Sequence, residues 1–119
     1  MLVPLLALAL VASPADEARA LPKPKSGDEM GFGISVARRG LWNEARFRFE
    51  KAVALNPENA HALNNLAVAL EQQGIFDKAR EAYEKALKLE PGNMYIQQNY
   101  DLFREADDKR NRKSRKSNP

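Results

Sequence analysis

Two stretches of the sequence, GLWNEARFRFEKAVALNP at residues 40–57 and GIFDKAREAYEKALKLEP at residues 74–91, follow one pattern. Both place Gly, an aromatic residue, Ala, a second aromatic residue, Glu-Lys-Ala, Leu and Pro in the same order, at a distance of 34 residues. A constant period of this length is typical of chains that stack copies of one small structural unit. The repeat therefore decides the fold class.

One full period, residues 60–93, predicts two helices. Five apolar residues at spacings of three and four form the stripe of a first helix: Ala60, Leu63, Leu66, Ala67 and Leu70. Gly74 is expected to end this helix, because glycine adopts a left-handed backbone without a steric penalty. A second helical stripe runs from Phe76 to Leu89, and Pro91 closes it. The unit is an antiparallel helix pair.

Residues 26–59 repeat this plan, and small residues recur at matching places. Gly33 and Ala67 are expected to let the two helices of a pair approach closely, while Ala45 and Ala79 leave room for an aromatic ring. The periodic positions of the large aromatic residues predict that they belong to the core. These residues are Trp42, Phe47, Phe49, Phe76 and Tyr83.

The pattern from Leu63 through Gly74, Ala79 and Tyr83 to Pro91 resembles the tetratricopeptide repeat, and the residues from Gly40 to Pro57 resemble it again. The resemblance implies an all-α, right-handed α-solenoid of antiparallel helix pairs. It comprises two repeats, residues 26–59 and 60–93, and a C-terminal capping helix, residues 94–106, within a domain of residues 28–106. The sequence departs from the family at Glu29, where a large apolar residue is usual.

The resemblance also implies a concave groove, lined by the first helix of each pair, that binds a peptide or protein. The residues carried over to this groove are Met30, Ile34, Arg38, His61, Asn64, Asn65, Val68, Gln72, Tyr95, Gln98 and Asn99. Amides can pair with a peptide backbone, and apolar side chains can contact its side chains. The family's carboxylate-binding cations are absent apart from Arg38. His61 is also interpreted as an exposed polar residue, and Tyr95 as either a cap of the stack or a groove residue.

The composition argues against catalysis. The chain has no Cys and one His, which excludes disulfides, thiolate zinc sites and multi-histidine metal sites. The glycines at 27, 31 and 33 do not follow a strand, so they do not form a nucleotide-binding fingerprint. No nucleophile motif is present. The sequence predicts no enzyme, no cofactor and no metal.

The amino-terminal segment, residues 1–20, resembles a secretory signal. Its apolar run from Leu2 to Ala12 is followed by small residues suited to cleavage, although no Lys or Arg precedes it. Eleven residues are too short to span a bilayer. We expect a secreted or periplasmic protein, with association with a membrane as one option, and residues 21–27 as a linker. The alternative is an apolar helix that packs on the domain of a cytoplasmic protein.

The carboxy-terminal tail carries the positive charge. The whole chain has a net charge of +3, but Lys109 to Pro119 hold six of the 19 basic residues; the remaining 13 basic and 16 acidic residues give −3. Residues 107–119 are predicted to be a disordered basic tail, since they have too few apolar groups to offset the entropy of ordering. The tail is interpreted as a solubilising segment or as a contact to anionic surfaces, and no nucleic-acid partner is expected.

The sequence therefore favours a non-catalytic protein-interaction module. The alternative is a permanent structural or assembly subunit of a cell-envelope complex such as a pilus or secretion apparatus. Because nothing obvious covers the amino-terminal side of the first helix pair, self-association is a further possibility.

Overall fold

The structure is a computed structural model that describes residues 22–118. Within this range it contains helices and no strand, which confirms the all-α fold class. The helices are α1 (Ser26–Ala37), α2 (Trp42–Leu55), α3 (Ala60–Gln72), α4 (Phe76–Leu89) and α5 (Met94–Ser117). The predicted signal-like segment, residues 1–20, lies outside the described residues. α1 begins at Ser26, so the last two residues of the predicted linker belong to the first helix.

The helices pack as two successive pairs and a final single helix. α1 packs on α2 and α3 packs on α4, while α2–α3 and α4–α5 contacts join one unit to the next. The contacts α1–α3 and α3–α5 place the first helices of the units side by side in one layer. This arrangement confirms the predicted helical repeat solenoid.

The turns between paired helices repeat at the same period. Gly40 and Gly74 both have φ of +75°, the left-handed conformation that glycine tolerates best. In both turns the next residue donates its backbone N–H to an earlier carbonyl: Leu41 to Val36 at 3.1 Å, and Ile75 to Leu70 at 2.9 Å. The two glycines therefore end α1 and α3 in the same way.

The N-terminus of the helix that follows each pair also has the same structure in both repeats. The Asn59 side chain accepts a hydrogen bond from the N–H of Ala62 at 3.0 Å, and Asn93 accepts one from Ile96 at 3.1 Å. These N-caps satisfy backbone donors that a helix start leaves unpaired. Asn59 and Asn93 thus set where α3 and α5 begin.

The core consists of aromatic rings packed against small residues. Phe49 and Tyr83 are buried, and Ala45 and Ala79 have no exposed surface. Trp42 and Phe76 are half-buried at the edges of the core.

The prediction that Phe47 belongs to the core is wrong, since 50% of its surface is exposed. The charged groups of Arg48 and Lys51 lie 5.6 and 5.4 Å from the centre of its ring, on the surface of α2. Periodicity identifies an apolar stripe, but only a neighbouring element can bury it.

Glu29, the departure from the family pattern, is buried in a network of charges on the first pair. Its two carboxylate oxygens lie 3.2 Å from Nη1 of Arg48 and 3.4 Å from Nζ of Lys51. Desolvation opposes ionisation of Glu29, but the hydrogen bonds and charges of Arg48 and Lys51 outweigh it and hold its pKa below the ordinary value. The carboxylate thus takes the place of an apolar contact between α1 and α2.

Glu29→Gln is expected to lower the Tm at neutral pH and to reduce the loss of stability in acid. A carboxyl group whose pKa is lowered by folding stabilises the fold above its unfolded pKa, about 4.3, and loses that effect as the pH falls through the folded-state value. Thermal melts of both proteins across acidic and neutral pH measure this. Glu50→Gln, which removes an exposed carboxylate from α2, is the control and should lower the neutral Tm less. A Glu29→Gln Tm equal to that of the wild type at neutral pH would contradict the prediction.

The carboxy-terminal helix is longer than predicted. α5 continues to Ser117, so residues 107–117, predicted to be disordered, are helical, and the capping helix does not end at 106.

Two contacts with α4, one made by Asp107 and one by Arg110, explain why α5 continues past residue 106. Asp107 is buried and pairs with Arg80 of α4, and it also accepts a hydrogen bond from Arg110 at 3.2 Å. The Arg110 guanidinium lies 3.5 Å from the centre of the Phe76 ring. These contacts depend on α4 and are invisible in the composition of the tail.

Among the described residues, no helix is both long and apolar enough to cross a membrane.

Candidate functional site

A cleft of about 410 Å³ opens on the layer formed by the first helices of the units. We call it the concave cleft, and its lining consists of Ile34, Ala37, Arg38, Trp42, Phe49, Asn65, Val68 and Tyr95. Residues of α1, α3 and α5 contribute to this lining, and Trp42 and Phe49 of α2 close one side.

The repeat period explains why these side chains meet. Ile34 on α1, Val68 on α3 and Leu102 on α5 are one period apart, so the packing of the three helices places them in a row. Ile34 and Val68 are half-buried, whereas Leu102 is 60% exposed. The row gives the concave side an aliphatic strip across three helices.

Tyr95 extends the apolar surface onto α5. It is 63% exposed and belongs both to the concave cleft and to a shallow depression on α5 that includes Gln98 and Leu102. The structure places Tyr95 in the lining of the cleft. An exposed aromatic ring beside an aliphatic strip is the type of contact that anchors a bound peptide.

Polar groups in the cleft are few. Arg38 is the charged residue of the lining, and Asn65 contributes an amide. Within residues 22–118, none of the ion pairs involves Arg38. An exposed guanidinium and an amide can orient a peptide through its carbonyl or carboxylate oxygens, while the apolar lining contacts its side chains.

Five of the predicted groove residues come together in the concave cleft: Ile34, Arg38, Asn65, Val68 and Tyr95. Met30 is instead half-buried and packs in the core of the first pair. Gln98 lies in the depression on α5, which adjoins the cleft through Tyr95.

The structure corrects the prediction for Asn64. This residue is 1% exposed, and its Oδ1 accepts a hydrogen bond from Nδ2 of Asn99 at 3.1 Å. Asn64 and Asn99 therefore join α3 to α5 inside the stack and do not line the cleft. Adjacent residues of a helix point about 100° apart, so Asn65 can face the cleft while Asn64 is buried.

The prediction also included two residues that lie elsewhere on α3. His61 is exposed near the start of the helix, with its Nε2 3.8 Å from an oxygen of Glu90. Gln72 is exposed at the end of the helix, and the cleft lining does not include it.

The sequence did not identify Trp42 and Phe49 as site residues. The periodicity predicts both as core residues, and both pack in the core while lining the cleft. The signal that could have identified them is their proximity to Ile34 and Ala37 on α1. This proximity is known only once the packing of α1 on α2 is known.

Antiparallel helix pairs stacked at a constant step, with a cleft on the layer of first helices, define the protein as an α-helical repeat solenoid. The family model described as "Tetratricopeptide repeat" matches residues 30–93, and the chain belongs to the tetratricopeptide repeat family. Repeats of this family are generally protein–protein interaction modules. A search of the curated proteins gave no match.

Proposed function

We propose that this protein is a non-catalytic, exported interaction module that binds an extended peptide or protein segment in the concave cleft. The observation that carries the proposal is the joining of two aliphatic side chains, Ile34 and Val68, with the exposed Tyr95 and two polar groups in one cleft. The apolar lining suits side chains of the partner, while Arg38 and Asn65 suit its oxygen atoms. Support for export comes from the apolar run of Leu2–Ala12 alone.

Tyr95→Ala is expected to weaken peptide binding at least tenfold, since truncation of an aromatic anchor commonly costs about 2 kcal/mol and about 1.4 kcal/mol corresponds to a factor of ten. Peptides are selected on the full-length protein from a random phage-displayed library, and their Kd values are then measured by calorimetry. The matched control is Phe47→Ala, which removes another exposed aromatic ring but lies outside the cleft lining. Both variants should retain the wild-type circular dichroism spectrum.

Two results would refute the cleft as the binding surface. In one, the selected peptides bind the Tyr95→Ala protein as tightly as the wild type. In the other, Phe47→Ala weakens binding as much as Tyr95→Ala does. Crosslinking with mass spectrometry in the native host would then identify the natural partner.

The second candidate is a permanent subunit of a cell-envelope assembly, which could also include further copies of this chain. It is favoured by apolar surface at both ends of the stack: Phe32 and Phe47 are about half exposed on the first pair, and Met94 is 83% exposed on α5. In the native host, Tyr95→Ala should release the partner of a transient adaptor, whereas a permanent subunit should fall in abundance when it loses its assembly. Asn99→Ala is unsuited to this comparison, because Asn99 also holds Asn64 inside the stack.

A further inference from the structure

The last turns of α5 are rich in cations. From residue 109 to residue 117 the helix has six Lys or Arg residues and no Asp or Glu. The same residues include no apolar and no aromatic side chain. Two contacts hold α5 to α4 near the start of this stretch: Asp107 pairs with Arg80, and Arg110 lies over the ring of Phe76.

Four of these cations share one face of the helix, at spacings of three, four and seven residues from the first. We call them the basic stripe: Lys109, Arg112, Lys113 and Lys116. All four residues are exposed. Seven residues of helix rise about 10 Å, so the stripe concentrates four positive charges on a short, one-sided surface. Arg110 is turned away from it, towards Phe76 and Asp107.

Little within the described residues neutralises the stripe. Lys109 pairs with Glu105 at 3.2 Å, and Arg112 donates a hydrogen bond to the carbonyl oxygen of Asp108 at 3.3 Å. Like charges one turn apart destabilise a helix surface. An external array of anions would remove this repulsion and would at the same time bind the protein.

We propose that the basic stripe docks the protein on the surface of an anionic phospholipid bilayer. A planar layer of phosphate headgroups can contact all four cations of a one-sided stripe at the same time. Each Lys or Arg near such a surface adds to the electrostatic attraction between the protein and the bilayer. Because the stripe has no apolar side chain, it lies on the headgroups and does not insert. Single-stranded nucleic acid is a poorer match, since the stripe offers no aromatic ring on which bases could stack.

This docking is independent of the concave cleft, whose lining contains no residue of the stripe. The proposed function and the membrane docking can therefore fail separately.

The test is sedimentation of the full-length protein with vesicles of mixed phosphatidylcholine and phosphatidylglycerol, and with vesicles of phosphatidylcholine alone. We expect binding to the anionic vesicles that weakens as salt shortens the Debye length. The triple substitution Arg112→Gln, Lys113→Gln and Lys116→Gln should lower partitioning about 100-fold. The matched control replaces three exposed lysines of α4 in the same way, with Lys78→Gln, Lys85→Gln and Lys88→Gln. This variant should retain most of the binding to anionic vesicles.

Four results would overturn the proposal. They are no binding to the anionic vesicles, equal binding to phosphatidylcholine alone, equal losses in the two triple variants, and tighter binding to duplex DNA than to vesicles at the same salt. Binding through the apolar amino-terminal segment would show as equal sedimentation with both kinds of vesicle. Circular dichroism of the variants confirms that α5 is retained when binding is lost.

Discussion

Phe103→Ala is expected to reduce the free energy of unfolding by about 3–5 kcal/mol, the range for truncating a fully buried phenylalanine. Phe103 has no exposed surface, and its ring centre lies 5.4 Å from that of Tyr83 and 6.4 Å from that of Tyr100. Alanine at this position would leave a cavity where α5 meets α4 and would remove two aromatic contacts. Domains are stable by roughly 5–15 kcal/mol, so this loss is a large part of the total.

Urea denaturation followed by circular dichroism measures the effect, and native-state hydrogen exchange shows where it acts. The amides of α5 should lose protection before those of α3, because Phe103 joins α5 to the stack. Leu102→Ala is the control: the neighbouring side chain is 60% exposed, and its truncation should change stability by less than about 0.5 kcal/mol. If the alanine variant does not fold, Phe103→Leu gives a smaller change of the same sign. Equal stability of the Phe103→Ala and Leu102→Ala proteins would contradict the packing described for α5.

Gly33→Ala is expected to reduce the free energy of unfolding by about 1–2 kcal/mol. A Cβ atom on Gly33 would lie 2.5 Å from Cε1 and 2.7 Å from Cδ1 of Phe49, a buried ring that cannot move without displacing its neighbours. Overpacking of this kind costs about 1–3 kcal/mol, and the better helix propensity of alanine returns up to about 1 kcal/mol. The steric effect exceeds the propensity effect.

Gly31→Ala is the matched control for Gly33→Ala. Gly31 lies in the same helix, and nothing is within 4 Å of a Cβ built on it. This substitution should stabilise the protein by about 0.5–1 kcal/mol, so the free energies of unfolding of the two variants should differ by about 1.5–3 kcal/mol. If both substitutions stabilise the protein, then α1 does not approach α2 as closely as the structure describes.

Most of the scaffold could be predicted from local features. Gly40 and Gly74 end their helices with the same backbone conformation, and the stripe of α3 packs inward as its spacing predicts. Turn chemistry and helical periodicity act over a few residues, so a single sequence carries them.

The candidate site was less predictable. Asn64 and Asn65 have the same side chain and adjacent positions, yet one is buried against Asn99 and the other lines the concave cleft. Phe47 and Phe49 share a helix, yet one is half exposed and the other is buried. In each case the difference in burial depends on which other helix packs against the residue.

The sequence by itself determined the 34-residue period, the helix pairs, their glycine turns and the family. These follow from interactions between residues close together in the chain. Only the tertiary structure decided that Glu29 is buried between two cations and that Asp107 and Arg110 hold the basic end of α5 against α4. It also decided which predicted groove residues converge. The physical reason is that burial and charge pairing belong to surfaces formed by two or more helices, whose residues are far apart in the chain.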